Sequence, residues 1–208
     1  MDQENEQKNK YENIYLESIQ TLRNTIEAKD PYTRGHSDRV SEYSALIGEK
    51  MGLSENDIHT LKVGGLFHDI GKIGISDNIL RKQSKLSDDE FSEIKHHTEI
   101  GARILSNSTV FKEIIPIVKF HHERYDGKGY YGTSSGEEIP LMARITAVAD
   151  SFDAMNSKRP YRDKLDINII KDEISKNKGT QFDPKVADAF LNILENDYDK
   201  IKDIENRY

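Results

Sequence analysis

Apolar residues recur at three- and four-residue spacing in one segment after another of this chain. Such spacing gathers them on one face of an α-helix. Helix-starting signals precede several of these segments: Ser54 and Ser87 each have an acid three residues later, and Pro140 and Pro184 stand at the beginning of others. We find no convincing pair of alternating segments that would predict strands, so the sequence predicts an all-α protein, a single helical bundle.

The composition fits such a bundle. With 208 residues, of which 35% are hydrophobic and 32% charged, the chain suits one domain of amphipathic helices with a charged surface. Its formal net charge of −7 argues against binding nucleic acid polymers, which requires a basic face. The absence of cysteine excludes disulfides, thiolate metal sites and thiol nucleophiles.

The domain boundaries follow from the same patterns. We expect residues 1–10 to form a disordered polar tail and residues 11–208 to form the domain, in which 11–28 could be a connector helix from an upstream sensor. No apolar run approaches membrane-spanning length and no signal peptide is visible. The expected location is the cytoplasm, without a membrane partner, and a homodimer is left open.

The stretch 64–75 places His68, Asp69 and Lys72 within one turn of chain among apolar residues. Adjacent charged groups in apolar surroundings are costly unless they pair or bind an ion. A histidine supplies a nitrogen ligand, and an aspartate supplies an oxygen that could bridge two ions. The alternative is an ordinary helix C-terminus, with cationic residues in the last turn and Gly71 as the cap.

Further histidines and acids arise on or beside other apolar helices, and five of the seven histidines belong to this set. In a helical bundle they could converge on one point. Neighbours on a helix point about 100° apart, so only one of His96 and His97 should face inward. Seven side chains exceed the needs of one tetrahedral zinc and suit two six-coordinate ions with a shared carboxylate. The set is His36, His68, Asp69, His97, His121, His122 and Asp150.

This ordered series resembles the HD-GYP domain, a subgroup of the HD metal-dependent phosphohydrolases. The resemblance covers about residues 24–190, nearly the whole chain. The matching motifs are RGHS at 34–37, HDIGKI at 68–73, HTEIG at 97–101, HHERYDGKGY at 121–130, ADSFDAM at 149–155, RPYR at 159–162 and FDP at 182–184.

The resemblance implies a phosphodiesterase of bacterial second-messenger signalling. It would hydrolyse cyclic di-GMP to pGpG, GMP or both by attack of a metal-bridging hydroxide. The implied cofactors are two divalent metal ions, iron being favoured and manganese the alternative.

The same resemblance implies roles for single residues. One metal would be held by His36, His68, Asp69 and Asp150, and Asp69 would bridge to a second held by His97, His121 and His122. Asp69 and Lys72 are the implied catalytic residues, with Lys72 reaching the scissile phosphate. The implied contacts to the dinucleotide are Lys72, Tyr130, Arg159 and Arg162.

Two departures from the family pattern bear on these roles. Gly129 and Tyr130 are followed by Tyr131 where the family has proline, which frees the loop dihedral and adds a ring. Tyr32 stands where some relatives carry a glutamate associated with a third metal, so we expect two ions. Three functions stay open: a cyclic di-GMP phosphodiesterase, an HD hydrolase for another cyclic dinucleotide or nucleotide, and a nucleotide-sensing module with weak turnover.

Overall fold

A computed structural model describes residues 17–25, 28–29, 35–158 and 163–208. Within these ranges the regular structure is helical, and the one β-type contact is an isolated bridge between Lys178 and Phe182. Residues 17–25 and 28–29 are helical. The named helices are α1 (His36–Lys50), α2 (Glu55–Phe67), α3 (Asp77–Leu80), α4 (Asp88–Lys95), α5 (His97–Leu105), α6 (Ile115–Phe120), α7 (Leu141–Asn156), α8 (Ile167–Lys176), α9 (Pro184–Asn196) and α10 (Tyr198–Arg207). Short 3-10 helices among the described residues cover Ile70–Gly74, Thr109–Ile114 and Gly136–Glu138. The all-α prediction is confirmed.

The helix starts lie where the capping signals predict them. The Ser54 side chain accepts a hydrogen bond from the backbone N–H of Asp57, and α2 begins at the next residue after Ser54. Ser87 and Glu90 cap α4 reciprocally, each side chain bonding the other's backbone N–H. Pro184 is the first residue of α9, where its missing N–H costs no helical hydrogen bond.

The apolar spacing predicts one continuous helix from Phe111 to about Glu123 and another from Pro184 into the charged C-terminal stretch, and both differ in the structure. The apolar stretch from Phe111 to about Glu123 is a 3-10 helix followed by the short α6, because Pro116 has no N–H to donate within a longer continuous helix. The last predicted helix is broken at Asp197, whose φ of −128° and ψ of 25° lie outside the helical region. Ile201 and Ile204 are buried, so α10 closes the core as a separate helix.

Two apolar clusters hold the bundle together. The larger one joins α1, α2, α7, α8, α9 and α10, with the rings of Tyr43, Phe152 and Phe190 at its centre. The smaller one joins the helical segment at 17–25 to the C-terminal part of α2, the turn after it, α5 and α6, around Phe67 and Val118. Because α2 contributes to both clusters, the turn that follows it lies next to both.

Close backbone approaches fix this turn. A Cβ atom on Gly65 would lie 2.6 Å from the Cα of Ser41, so α1 and α2 touch backbone to backbone. A Cβ on Gly71 would lie 1.7 Å from the carbonyl oxygen of His97, so the 3-10 turn presses directly on the start of α5. Only glycine permits such contacts.

Throughout the described ranges, no helix combines the length and apolar character that crossing a bilayer requires.

Candidate metal centre

Helix ends deliver the predicted site residues to one place. His36 is the first residue of α1 and His97 the first of α5. His68 caps the C-terminus of α2 and His121 that of α6. Asp69 follows His68, His122 follows His121, and Asp150 lies on α7.

The side chains form two groups that share one carboxylate. The first contains His36, His68 and Asp69, and the second contains Asp69, His97, His121 and His122; within each group the ligand atoms lie within 4.8 Å of one another. Asp150 joins the first group through a distance of 3.3 Å from its Oδ1 to His36 Nε2. All seven residues singled out from the sequence are thus brought together, and Asp69 stands between the two halves.

Backbone carbonyls orient three of the imidazoles. The Nδ1 atoms of His68, His97 and His121 lie 2.7, 2.7 and 2.9 Å from the carbonyl oxygens of Gly65, Ile94 and Val118. Such a carbonyl accepts a hydrogen bond only from a protonated Nδ1, which leaves Nε2 as the atom with a free lone pair. Each of these rings therefore turns an electron pair toward Asp69 and its neighbours.

Those lone pairs meet other electron-rich atoms. His68 Nε2 is buried without a hydrogen bond to any of the described residues and lies 3.3 Å from Asp69 Oδ2. His97 Nε2 lies 3.3 Å from Asp69 Oδ1 and 3.4 Å from His121 Nε2. Facing acceptors repel unless a cation or a proton lies between them. The nitrogen and carboxylate set suits divalent metal ions.

The protonation of the second group favours the same conclusion. Burial lowers the pKa of His97, and burial together with neighbouring imidazoles lowers that of His121 well below its usual range. Burial likewise lowers the pKa of His122 to about 4. Burial opposes ionisation of Asp69, yet Lys72 and His68 hold the pKa of its carboxyl well below the usual value. At neutral pH this group offers unprotonated nitrogens and an ionised carboxylate.

His36 behaves differently because two carboxylates flank it. Burial alone would lower the pKa of His36, but hydrogen bonds and charge interactions with Asp150 and Asp153 raise it to about 9. Asp153 Oδ2 lies 2.8 Å from His36 Nδ1, and Arg39 holds the same carboxylate with its Nε at 2.6 Å and its Nη2 at 2.9 Å. Asp153 thus orients the imidazole and is itself held by a guanidinium.

The sequence reasoning assigned no role to Asp153 or Arg39. The available signal was spacing: Asp153 lies three residues after Asp150 on the same helix, so both carboxylates face the same side of α7. The prediction about the adjacent pair 96–97 is confirmed, because His97 is buried and His96 is exposed.

Two of the predicted substrate contacts border the cluster. Lys72 Nζ lies 2.7 Å from Asp69 Oδ2. The ring of Tyr130 lies 4.3 Å from that of His122, with 31° between their planes, and burial raises the pKa of its phenol. Arg159 and Arg162 lie outside the described residues.

Tyr131, which replaces the family's proline, fastens the loop that carries Tyr130. Its backbone N–H donates to Glu123 Oε1 at 3.0 Å, and its hydroxyl donates to the carbonyl oxygen of Lys95 at 3.0 Å. The buried Glu123 also accepts from the N–H of Gly132 at 3.2 Å. The sequence reasoning treated Tyr131 as a loss of loop restraint; the structure shows that its own hydrogen bonds supply one.

A helical bundle that gathers histidines and aspartates from helix ends, a turn and the interior of α7 has the architecture of a metal-centred α-helical protein. Residues 20–186 match the HD domain family. The chain belongs to this family.

Individual relatives agree with that assignment. A cyclic di-GMP phosphodiesterase of Thermotoga maritima is 42% identical over 185 residues, which cover 88% of this chain and 50% of the relative. A 3'3'-cGAMP-specific phosphodiesterase of Vibrio cholerae is 38% identical over 194 residues, covering 91% of this chain and 42% of the relative. These matches confirm the resemblance to HD-GYP proteins. The chain spans about half the length of such curated relatives.

A solved structure matches the fold. The HD domain of the Listeria monocytogenes phosphodiesterase PgpH, in complex with cyclic-di-AMP, superposes with a TM-score of 0.59 at 21% identity, covering 85% of this chain and 97% of that one. This likeness supports the HD-type helical bundle.

Proposed function

We propose that this chain hydrolyses the phosphodiester bonds of cyclic di-GMP, giving pGpG, GMP or both, in a reaction that depends on two divalent metal ions. The observation that carries the proposal is the position of Asp69, which belongs to two groups of ligand atoms at once. A carboxylate with one oxygen toward each group is suited to bridging two ions. The relatives named as cyclic di-GMP phosphodiesterases support the substrate.

The geometry supports one division of ligands. In this proposal one ion is held by His36, His68, Asp69 and Asp150, and the other by Asp69, His97, His121 and His122. The chemistry that divalent ions supply at such a centre is activation of a water molecule and neutralisation of charge on the phosphate. The protein fixes the imidazoles through their Nδ1 hydrogen bonds and so presents Nε2 without rearrangement.

The remaining residues position the substrate. Lys72, which already lies 2.7 Å from Asp69, brings a positive charge to the phosphate as the leaving oxygen becomes negative. Tyr130, half-buried beside His122, offers a ring face and a phenol to the nucleotide. We assign Arg159 and Arg162 to the phosphates or to a guanine edge, where paired guanidinium donors fit, on the strength of the motif alone.

Nitrogen and oxygen ligands without sulfur favour iron or manganese, and we propose iron. We propose two ions rather than three because Tyr32 stands where some relatives carry a glutamate; this position lies outside the described residues. Residues 11–208 form the catalytic domain in this proposal, with 1–10 as a disordered polar tail and 11–28 as a connector helix from an upstream sensor. The proposed location is the cytoplasm.

Two other functions have specific support. Hydrolysis of a different cyclic dinucleotide is favoured by the Vibrio cholerae relative named for 3'3'-cGAMP and by the Listeria monocytogenes domain in complex with cyclic-di-AMP. A sensing module with weak turnover is favoured by the altered loop at Tyr131. The presence of Lys72 next to the shared carboxylate favours an enzyme over the module.

The test is incubation of purified protein, loaded anaerobically with iron or manganese, with cyclic di-GMP, 3'3'-cGAMP and cyclic di-AMP. Products are separated by chromatography, and metal per chain is measured on the same samples. We expect two ions per chain and linear or mononucleotide product from cyclic di-GMP. A metal-free sample is the matched control. Loaded protein that converts none of the three nucleotides would refute the enzyme and favour the module.

A further inference from the structure

Phe91 is exposed beside the site. Its side chain lies on α4, 44% of the residue is open to solvent, and it belongs to neither of the two apolar clusters found among the described residues. α4 ends at Lys95, two residues before His97 begins α5.

The Phe91 ring is the outer member of a row of rings that ends at the metal centre. It meets the ring of Tyr130 at a centroid distance of 5.9 Å and an interplanar angle of 82°. Tyr130 in turn lies 4.3 Å from His122 and 6.1 Å from His97. Two aromatic surfaces, set edge to face, therefore lie between solvent and the imidazoles.

Lys95 adds a positive charge to this place. Its Nζ lies 4.9 Å from the centre of the Phe91 ring and 5.7 Å from that of the Tyr130 ring. The one amine thus lies within cation–π distance of both rings. The backbone of Lys95 is anchored by the Tyr131 hydroxyl. Apolar ring faces next to a fixed cation match a flat heterocycle joined to an anionic phosphate.

We infer that Phe91, together with Tyr130 and Lys95, forms a subsite that stacks one purine base of the substrate while its phosphate lies at the Asp69 centre. The inference rests on the proposed function for the identity of the substrate. Phe91 is the new member, and it binds the base with the part of its ring that the contacts with Tyr130 and Lys95 leave open to solvent.

Steady-state kinetics test the contribution of the ring. Phe91→Ala should raise KM for cyclic di-GMP by about fivefold or more, with a smaller effect on kcat, because stacking on an aromatic side chain contributes roughly 1–3 kcal/mol per base. Phe91→Ala should raise KM less for methyl p-nitrophenyl phosphate, which has no nucleobase. Phe91→Tyr keeps an aromatic ring and should restore KM for cyclic di-GMP. The matched control is Ile169→Ala, at a residue 50% exposed on α8, which contributes nothing to the site.

A binding measurement separates the subsite from turnover. The chain contains no tryptophan, so Phe91→Trp introduces a single tryptophan at the proposed contact, which can be excited apart from the tyrosines. Titration of metal-loaded Phe91→Trp with a phosphorothioate analogue of cyclic di-GMP should quench its fluorescence, whereas inorganic phosphate should not. Ile169→Trp carries the same fluorophore away from the site and should stay unquenched.

The outcomes distinguish the two proposals. Quenching at position 91 by a protein that hydrolyses no cyclic dinucleotide would refute the proposed function and leave the base subsite standing. Turnover with an unchanged KM in Phe91→Ala and no quenching in Phe91→Trp would overturn the subsite and leave the function standing. Equal quenching at positions 91 and 169 would also overturn the subsite.

Discussion

The hydroxyl of Tyr131 donates a hydrogen bond to the backbone carbonyl of Lys95 at 3.0 Å, joining the loop after α6 to the last residue of α4. The N–H of the same residue donates to the buried Glu123, a bond that the family's proline could not make. The chain therefore replaces the fixed dihedral of proline with two hydrogen bonds. Both keep Tyr130 beside His122.

Removal of the Tyr131 hydroxyl should loosen this loop. We expect Tyr131→Phe to lower the free energy of unfolding by about 1 kcal/mol, the usual net contribution of one hydrogen bond. Tyr131→Pro, which also deprives the buried Glu123 of a donor, should cost more. Urea unfolding measures both, and Tyr198→Phe on α10 is the control. A proline variant as stable as the natural protein would show that the loop does not need these bonds.

Asp69→Asn tests the shared carboxylate. The amide keeps the shape but lacks the charge, so we expect metal content per chain to fall at both groups and kcat to fall at least about a hundredfold. Elemental analysis and product formation are the measurements. Asp172→Asn, at an exposed position on α8, is the matched control. Full retention of two ions by Asp69→Asn would refute a bridging role.

Metal binding at the first group should depend on pH. The pKa of His36 is raised to about 9, so at pH 7 its imidazole carries a proton that must leave before Nε2 can bind an ion. The apparent affinity of the first group for a metal ion should therefore fall about tenfold for each pH unit below 9. The pKa of His122 is lowered to about 4, so protons hardly compete at the second group above that pH.

Equilibrium dialysis of metal-free protein at pH 6 and pH 8 measures this difference. We expect the protein to take up one ion fewer per chain at pH 6 than at pH 8 at a limiting metal concentration, and to release a proton when the ion at the first group binds. Equal weakening of both ions at pH 6 would contradict the assigned pKa difference between the two groups.

Arg39 should stabilise the fold as well as the site. It holds the buried Asp153 through two hydrogen bonds, so Arg39→Met would leave a carboxylate that is 2% exposed with only His36 and Ser157 as partners. We expect a loss of about 3 kcal/mol in the free energy of unfolding, because breaking a buried pair strands its partner. Chemical denaturation checks this.

Two further variants serve as controls for Arg39→Met. Arg39→Lys should restore little, since an ammonium cannot reproduce the paired geometry. Arg81→Met removes an exposed pair with Asp77 and should change stability by less than about 1 kcal/mol. Similar losses for Arg39→Met and Arg81→Met would mean that the Asp153 contact is not a stabilising one.

The sequence predicts most of the helices, and the structure brings together the residues that the sequence singles out for the proposed centre. Capping signals such as Ser54 and Ser87 act within a few residues, so local sequence predicts them well. The histidines and acids were conspicuous because charged groups beside apolar helices require partners. The break at Asp197 was not predicted. The sequence of α10 is mainly charged, so its two buried isoleucines, Ile201 and Ile204, did not indicate a separate helix.

Contacts across the fold were beyond sequence reasoning. The pairing of Asp153 with His36 joins positions 117 residues apart, and no local pattern encodes that distance. The loop restraint by Tyr131 likewise depends on where the α4 carbonyls lie. Phe91 is distinguished by its exposure and by its ring neighbours, and a local sequence pattern encodes neither.

Gly71 lies against the carbonyl of His97 with no side chain between them. Motion of the segment that bears His68 and Asp69 is consequently transmitted to the start of α5 without any compressible layer to absorb it. Main-chain contact therefore sets the distance between the two halves of the centre. The space available to a pair of ions consequently depends on how the backbone packs.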